Sequence, residues 1–417
     1  MREMKDSGAK WIGPIPHNWD SDKLKYHLVR KEPKNPGEKI VLSLYREYGI
    51  IPKDSRDDNH NQTSEDTTKY KYVKPGNFVV NKMKAWQGSV AVSDYEGIVS
   101  PAYYVYEFTD NAYFKRYFHY LLRGCYKDEF MRLSGGMRVG QWDLSSDDLN
   151  NTLVIIPPIK EQEKIAKFLD DKCKEIDSLI SNIQKQIDTL EQYKRSTVIK
   201  TVTKGLNPDA TMKDSGIQWI GDIPEHWDVD KFKYHLVRKE PKNPGNKIVL
   251  SLYREYGVIP KDSRDDNHNQ TSEDTSKYKY IKPGNFVVNK MKAWQGSVAV
   301  SDYEGIISPA YYVYDFVDDV YFKRYFHYLL RGCYKDEFMR LSGGMRVGQW
   351  DLSSDDLNNT SVIIPPIEEQ IEIANFLDDK CEEIENCIAD KKKQISTLED
   401  YKKSVIYEYV TGKREVV

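Results

Sequence analysis

The chain has 417 residues, of which 39% are hydrophobic and 30% charged, and its formal net charge is −3 at pH 7. This length predicts two or three domains with packed cores. No apolar run reaches the roughly 18 residues that a membrane-spanning helix needs, so we expect no membrane partner. The total charge gives no support to nucleic-acid binding, and any such role must depend on local patches.

The N-terminus and the cysteines predict a cytoplasmic protein. The opening residues MREMKDSGAKWIG lack the apolar segment of a signal peptide. Five cysteines occur without a CxxC pair: Cys125 corresponds to Cys333, Cys173 corresponds to Cys381, and Cys387 stands alone. Scattered, odd-numbered cysteines are typical of reduced thiols in a cytosolic core.

The sequence is a tandem duplication with an offset of 208 residues and no gap, so that Trp11 corresponds to Trp219 and Tyr193 to Tyr401. About a dozen positions differ between residues 20–159 and their counterparts, and residues 125–152 are repeated without change. Such a unit is too long for a solenoid repeat and indicates two modules, each a globular domain followed by a long helix. The predicted boundaries are 1–156 for the first domain, 157–204 for its helix, 205–364 for the second domain and 365–411 for the second helix.

The two modules contain the same predicted elements in the same order. In the first copy, the opening segment KDSGxxWIGxIPxxW is rich in Pro and Gly and predicts an extended, irregular path. A polar stretch at residues 52–69 is a predicted surface loop, and Asn111–Leu133 has helical spacing. A glycine loop, LSGGMRVGQW, follows. Short predicted strands lie at Lys39–Leu44, Asn77–Val80, Ser89–Val92, Tyr103–Phe108 and Val154–Ile156. We therefore predict an α+β domain.

Apolar residues spaced alternately three and four apart predict a coiled-coil seam on each long helix. Pro157 and Pro158 suit the start of the first helix, and Gly205 suits its end. Lys391 interrupts the second seam, and it either fixes the register or lies at a solvated edge. The seam residues are Ala166, Leu169, Cys173, Ile176, Ile180, Ile183, Ile187 and Leu190 in the first copy, and Ala374, Leu377, Cys381, Ile384, Ile388, Ile395 and Leu398 in the second.

The order domain, helix, domain, helix restricts the geometry. A helix of about 43 residues is roughly 60 Å long, so it carries the chain far from the first domain. The second helix can bury its seam only by returning antiparallel to the first. The sequence therefore predicts two near-identical domains at opposite ends of an antiparallel coiled coil, related by a pseudo-twofold axis.

Motifs for catalysis are missing from the sequence. It contains no GxxxxGK[ST], GxGxxG, HExxH or GxSxG pattern, and its eight histidines have no metal-ligand spacing. A cluster formed by Asp57, Asp58, His60, Glu65 and Asp66 fits a solvated acidic loop better than a metal site. We therefore expect no catalytic residue, no cofactor and no metal ion.

Nucleic-acid signals are local. Lysines gather just before Trp86-Gln87-Gly88, and arginines follow the predicted helix into the glycine loop. Such residues read base edges and hold phosphates, but an ordinary charged surface remains the alternative. The glycine loop is either a recognition loop or a structural turn. The tyrosines near it fit the core better than a base-stacking platform: Tyr103, Tyr104, Tyr106, Tyr117 and Tyr120.

Three motifs resemble the specificity (S) subunit of type I restriction–modification enzymes. They are KDSGxxWIGxIPxxW, the run IVSPAYY at 98–104 and PPIKEQ at 157–162. The first recurs in the second copy, the second is there IISPAYY at 306–312, and the third is there PPIEEQ at 365–370. The resemblance implies that each domain is a target recognition domain reading one half of a bipartite site in double-stranded DNA, with the helices as spacer. It also implies a non-catalytic subunit. Two methyltransferase subunits would methylate adenine with S-adenosylmethionine, and two ATP-using restriction subunits can join.

One feature departs from the family pattern, in which the two recognition domains differ. Equal domains related by a twofold axis would read an interrupted palindrome. The family does not fix the base-contacting residues by motif, so we place them by loop position and charge. The candidates are Arg46, Lys82, Lys84, Trp86, Gln87, Arg138 and Gln141, with counterparts Arg254, Lys290, Lys292, Trp294, Gln295, Arg346 and Gln349.

Two other functions are alternatives. A structural coiled-coil adaptor without DNA recognition explains the helices, but it does not explain two near-identical, loop-rich domains. A stand-alone DNA methyltransferase or nuclease needs a cofactor or metal motif that the sequence lacks.

Overall fold

The computed structural model describes residues 2–45, 48–55, 63–64, 66–135, 142–245, 247–253, 256–263, 274–343 and 350–416. Its contacts form two compact units. Unit 1 comprises Met1–Ile183 with Lys393–Val417, and unit 2 comprises Gln184–Lys392. Each unit therefore combines one globular domain with the first part of one long helix and the last part of the other. Among the described residues, no helix is both long and apolar enough to cross a membrane.

The first module carries the following elements. Its strands are β1 (Met4–Asp6), β2 (Pro14–Pro16), β3 (Asp20–Lys23), β4 (Leu28–Lys31), β5 (Leu42–Tyr45), β6 (Gly49–Pro52), β7 (Lys71–Val73), β8 (Phe78–Asn81), β9 (Val90–Val92), β10 (Gly97–Val99), β11 (Tyr103–Phe108) and β12 (Leu153–Ile156). Its helices are α1 (Lys115–Cys125), α2 (Lys127–Leu133), α3 (Ser146–Asn151) and α4 (Ile159–Lys204), with short 3-10 turns at Leu24–Tyr26, Lys53–Ser55 and Ala85–Gln87.

The second module repeats this order. Its strands are β13 (Met212–Asp214), β14 (Asp222–Pro224), β15 (Asp228–Lys231), β16 (Leu236–Lys239), β17 (Leu250–Tyr253), β18 (Gly257–Pro260), β19 (Lys279–Ile281), β20 (Phe286–Asn289), β21 (Val298–Val300), β22 (Gly305–Ile307), β23 (Tyr311–Phe316) and β24 (Ser361–Ile364). Its helices are α5 (Phe232–His235), α6 (Lys323–Cys333), α7 (Lys335–Leu341), α8 (Ser354–Asn359) and α9 (Ile367–Val410), with 3-10 turns at Lys261–Ser263 and Ala293–Gln295.

A four-stranded antiparallel sheet, in the order β4-β11-β8-β9, forms the centre of the first domain. Side chains alternate between its two faces, as they do on any strand. Phe78 and Val80 enter the main core with α1, and Val79 between them enters a second core with β5, β6, β7 and β10. Because both faces are covered, every residue of β8 is buried. The predicted α+β class is confirmed, and the predicted strand Tyr103–Phe108 has the observed bounds of β11.

Two local predictions differ from the structure. The helix expected at Asn111–Leu133 begins at Lys115 and divides into α1 and α2 at Tyr126. Tyr126 separates the two helices with φ −104° and ψ −1°, still in the right-handed region, and its ring is buried against Trp11 and Phe130. The opening segment, expected to be irregular, forms the antiparallel pair β1–β2, because its prolines take edge positions that need no amide donor.

Every residue of the predicted seam is buried or half-buried. The helices α4, with 46 residues, and α9, with 44, pack antiparallel within each unit. In unit 1, Lys402 Nζ lies 2.7 Å from Asp177 Oδ1. In unit 2, the corresponding residues Lys194 and Glu385 form the same ion pair. Lys391, the polar residue in the second seam, is half-buried and donates to Gln186 Oε1 at 2.6 Å.

Two adjacent side chains at the first turn of α4 attach the helix to its domain. Glu161 Oε2 accepts a hydrogen bond of 3.0 Å from the indole of Trp19, a ring with no exposed surface. Gln162, also fully buried, donates to the carbonyl oxygens of Ala112 and Pro157 and accepts from the Phe114 amide, at 2.7–2.8 Å. In the second module, Glu369 and Gln370 make the equivalent bonds. The EQ of PPxxEQ therefore connects domain and helix.

We expect Gln162→Leu to lower the free energy of unfolding by about 2–5 kcal/mol, because it leaves one amide and two carbonyl groups buried without a partner. Gln184→Leu, an exposed position on the same helix, is the matched control and should change stability by no more than about 0.5 kcal/mol. Thermal unfolding monitored by circular dichroism measures both variants. Equal melting curves for the two would show that Gln162 does not hold the domain.

Candidate nucleic-acid interface

The connection from β8 to β9 displays the predicted cations. Asn81 ends β8, and its side chain accepts from the Met83 amide while its carbonyl accepts from the Lys84 amide. Ala85 is buried and starts the 3-10 turn that ends at Gly88, whose φ of 86° reverses the chain into β9. Lys84 is consequently exposed, and its ammonium group has no ion-pair partner among the described residues.

A second segment, the base of the glycine loop, lies against this connection. Gly135 and Asp143 form a backbone bridge, and the Leu144 amide donates to the Lys82 carbonyl at 3.0 Å. Asp143 Oδ2 accepts from Lys82 Nζ at 2.8 Å, and this hydrogen bond raises the pKa of Lys82 above its ordinary value. The ion pair therefore holds Asp143 against the residue that directly follows β8.

Two tryptophans join the same segments. The ring of Trp142 contacts that of Trp86 edge to face, with 5.2 Å between centroids and an interplanar angle of 66°. Trp86 also donates its indole hydrogen to the Met83 carbonyl at 3.1 Å. Both rings are half-buried, so each keeps part of its surface available for a ligand.

The central sheet places two further side chains, Arg30 and Tyr104, near Lys82. The Arg30 guanidinium, from β4, lies 4.3 Å from the centroid of the Tyr104 ring, from β11, and both are close enough to Lys82 to affect its pKa. Tyr104 is buried, as the sequence predicted for this ring. We use the name lysine–tryptophan patch for Arg30, Lys82, Lys84, Trp86, Trp142 and Asp143, and for the equivalent set Arg238, Lys290, Lys292, Trp294, Trp350 and Asp351.

The second domain reproduces this geometry. Lys290 Nζ lies 3.2 Å from Asp351 Oδ2. The rings of Trp294 and Trp350 are 5.1 Å apart at 68°, and Arg238 lies 4.4 Å from the ring of Tyr312. Two equal patches therefore exist on one chain.

The predicted DNA-binding residues fall into two groups. Lys82, Lys84, Trp86 and Gln87 share one connection, as do their counterparts, and their role in binding stays a prediction. The remaining candidates lie outside the described residues: Arg46, Arg138, Gln141, Arg254, Arg346 and Gln349. Sequence reasoning did not include Arg30 or Asp143 among the candidates, since only the fold brings these positions to Lys82.

Several cations on the helical stretch are committed to internal ion pairs. Arg132 binds Glu129 through two hydrogen bonds of 2.7 Å, which raise the pKa of Arg132. Arg116 contacts Asp170 of α4 at 2.6 Å, and Tyr120 donates to the same carboxylate. The Asp170 contacts attach α1 to α4, whereas the Arg132–Glu129 pair lies within α2. Both arginines are paired with carboxylates, so the arginine-rich pattern overstates the unpaired charge that is available to a ligand.

A metal centre is not formed by the part of the chain that the structure describes, where no group of three His, Cys, Asp or Glu side chains is suitably placed. Of the acidic cluster considered in the sequence, Asp57, Asp58, His60 and Glu65 lie outside the described residues. Asp66 is exposed, and its hydrogen bonds with Thr68 lower its pKa.

Comparisons with solved structures give the fold. A chain from a study of complex assembly and conformational transition of the type I R-M system superposes with a TM-score of 0.69 at 15% identity, covering 96% of this chain and 99% of that one. The HsdS subunit from Thermoanaerobacter tengcongensis superposes with a TM-score of 0.50 at 16% identity, covering 96% of this chain and 98% of its own.

Sequence comparisons give the family. Two curated relatives come from Methanocaldococcus jannaschii. The putative type I restriction enzyme MjaX specificity subunit is 25% identical over 97% of this chain and 96% of its own length. The type I restriction enzyme MjaVIII specificity subunit is 28% identical over 96% of this chain and 94% of its own length. The model of the type I restriction modification DNA specificity domain matches residues 31–189 and again 239–397. The chain therefore belongs to the type I restriction–modification DNA specificity family and carries two of its specificity domains.

Proposed function

We propose that this specificity subunit reads an interrupted inverted repeat in double-stranded DNA and directs adenine methylation by two methyltransferase subunits. Restriction subunits would add cleavage where they join the complex. The sequence carries no motif for methyl-donor or metal chemistry, and for this reason we assign catalysis to the partners.

The observation that carries the proposal is the equality of the two lysine–tryptophan patches. Residues 74–98 and 125–152, which contain most of each patch, are repeated without change in the second module. Equal donors held at equal spacings select the same bases, because readout depends on the pattern and geometry of the groups presented to the groove. Combined with the pseudo-twofold arrangement expected from the chain connectivity, equal readers would bind the same half-site on opposite strands.

Within each patch we propose a division of roles. Lys84 is exposed and forms no ion pair with the residues that the structure describes, which suits a phosphate contact that positions the domain without reading sequence. The half-buried Trp86 and Trp142 offer apolar surface suited to base edges such as the thymine methyl group. Lys82 and Asp143 neutralise each other, and their part is to hold the loop that carries the candidates Arg138 and Gln141.

Single-molecule methylation sequencing of DNA from cells that express this chain with its cognate methyltransferase tests the proposal. We expect methylated adenines in both halves of an interrupted inverted repeat. The half-site centres should lie about one helical turn, roughly 34–36 Å, apart or a multiple of it. An unrelated second half-site would contradict the equivalence of the two domains.

We expect Lys84→Ala to weaken binding to specific and random duplexes alike and to reduce the slope of log K against log salt by about one. The fold should tolerate the change, because the side chain is exposed. Lys10→Gln is the matched control: it removes one exposed charge outside the patch, at a position where the second module carries Gln218. Fluorescence anisotropy with the methyltransferase present measures both. An equal loss in the two variants would argue against a local phosphate contact.

A further inference from the structure

The two units differ at the surface where a long helix meets the opening segment of a domain. In unit 2, a groove of about 410 Å³ lies along the last turns of α4 and against Ile220. Ile199, Thr203 and Ile220 line it together with three cations. These cations are Arg195, Lys200 and Lys204, and no carboxylate lines the groove.

In unit 1, the chain's own side chains occupy the equivalent position. Tyr407 replaces Ile199, and its hydroxyl donates to the carbonyl of Ile12, the counterpart of Ile220, at 3.2 Å. Lys413 donates to the same carbonyl at 2.7 Å, and its ammonium group lies 4.0 Å from the centroid of the Tyr407 ring. In unit 1, a tyrosine and a lysine therefore join the end of α9 to Ile12. In unit 2, Lys204 donates instead to the carbonyl of Asp222, and Ile199 has no group that could bond to the Ile220 carbonyl.

The charge of this surface also differs between the two units. Arg195 and Lys200 are exposed and have no ion-pair partner among the described residues of unit 2. In unit 1, the counterpart of Arg195 is Lys403, which pairs with Asp400 at 2.9 Å, and the counterpart of Lys200 is Glu408. The groove of unit 2 is thus cationic, whereas the same surface of unit 1 is bridged and carries balanced charges.

We propose that the groove of unit 2 takes an acidic, amphipathic segment of one methyltransferase subunit, so that the two methyltransferase copies dock on unequal sites. This inference rests on the proposed function, which supplies two copies of one partner. Three cations favour a partner with complementary carboxylates, and the apolar side chains of Ile199 and Ile220 favour apolar partner residues over a phosphate backbone. From Arg195 to Lys204 the helix rises about 13 Å, which matches two to three turns of a docked helix.

The unequal sites have a consequence for assembly. The near-identical domains would offer both methyltransferase copies the same contacts, and only the copy on unit 2 would gain the groove. Its binding should therefore be tighter and more sensitive to salt, since exposed ion pairs weaken as ionic strength rises. The subunit would add its two methyltransferases in two distinguishable steps.

The variant Ile199→Tyr/Lys200→Glu tests this, because it gives unit 2 the residues that unit 1 carries at the same positions. Lys200→Glu alone is a second variant whose exposed position ensures folding, and Lys185→Glu reverses an exposed charge on α4 outside the groove. Native mass spectrometry of titrations with the cognate methyltransferase, at low and high salt, counts the bound copies. We expect at least a tenfold loss in the first step for both groove variants, and no change for Lys185→Glu.

The outcomes distinguish a failure of the proposed function from a failure of the groove inference. If wild-type chain binds no methyltransferase, the proposed function fails. If wild type and groove variants bind two copies with the same affinities, the groove inference is overturned and the proposed function stands. If the variants lose affinity for random duplex DNA and keep that for the methyltransferase, the groove binds nucleic acid and the inference is again overturned.

Discussion

The hydrogen bonds of Gln162 at the first turn of α4 are the constraint on which each unit depends. A glutamine without exposed surface is tolerated in a core only when its amide is satisfied, and Gln162 uses both its oxygen and its nitrogen. Its three partners lie in the segment before α1 and at the Pro157 turn, so the domain and the helix cannot separate without exposing all three.

The opposite helix completes this attachment in unit 1. The hydroxyl of Tyr117, on α1, donates to the carbonyl of Val410 at 2.7 Å, and Val410 ends α9. Tyr325 makes the same bond to Val202 in unit 2. Each domain is therefore fixed to the start of one long helix and to the end of the other, which is what a protein needs if its helices are to set the position of a recognition surface.

The placement of paired and unpaired charges explains how a chain of net charge −3 can bind DNA, because binding depends on local exposed cations and not on the net charge. Arginines on α1 and α2 are neutralised by Asp170 and Glu129, and Lys82 is neutralised by Asp143. Lys84, beside two tryptophans, is exposed and forms an ion pair with no described carboxylate.

The sequence predicted the features that follow from periodicity and missed those that follow from tertiary contacts. The seam from Ala166 to Leu190 could be predicted because a 3-4 spacing has one helical interpretation. The break at Tyr126 could not be predicted, since tyrosine does not by itself end a helix and the contacts that bury its ring are formed only in the fold. Asp143 and Arg30 are far from Lys82 in sequence. The difference between the groove of unit 2 and the same surface of unit 1 depends on Tyr407, which the repeat alignment shows only as a substitution for Ile199.

The central claim is that the two domains read the same half-site through equal patches. Its most direct test is methylation sequencing of two variants that each alter one domain, Trp86→Ala and Trp294→Ala, expressed with the same methyltransferase. The account predicts that each variant relaxes the same base position, in one half of the repeat, and that the two motifs are reverse complements of each other. Relaxation at different positions, or in only one of the two variants, would contradict it.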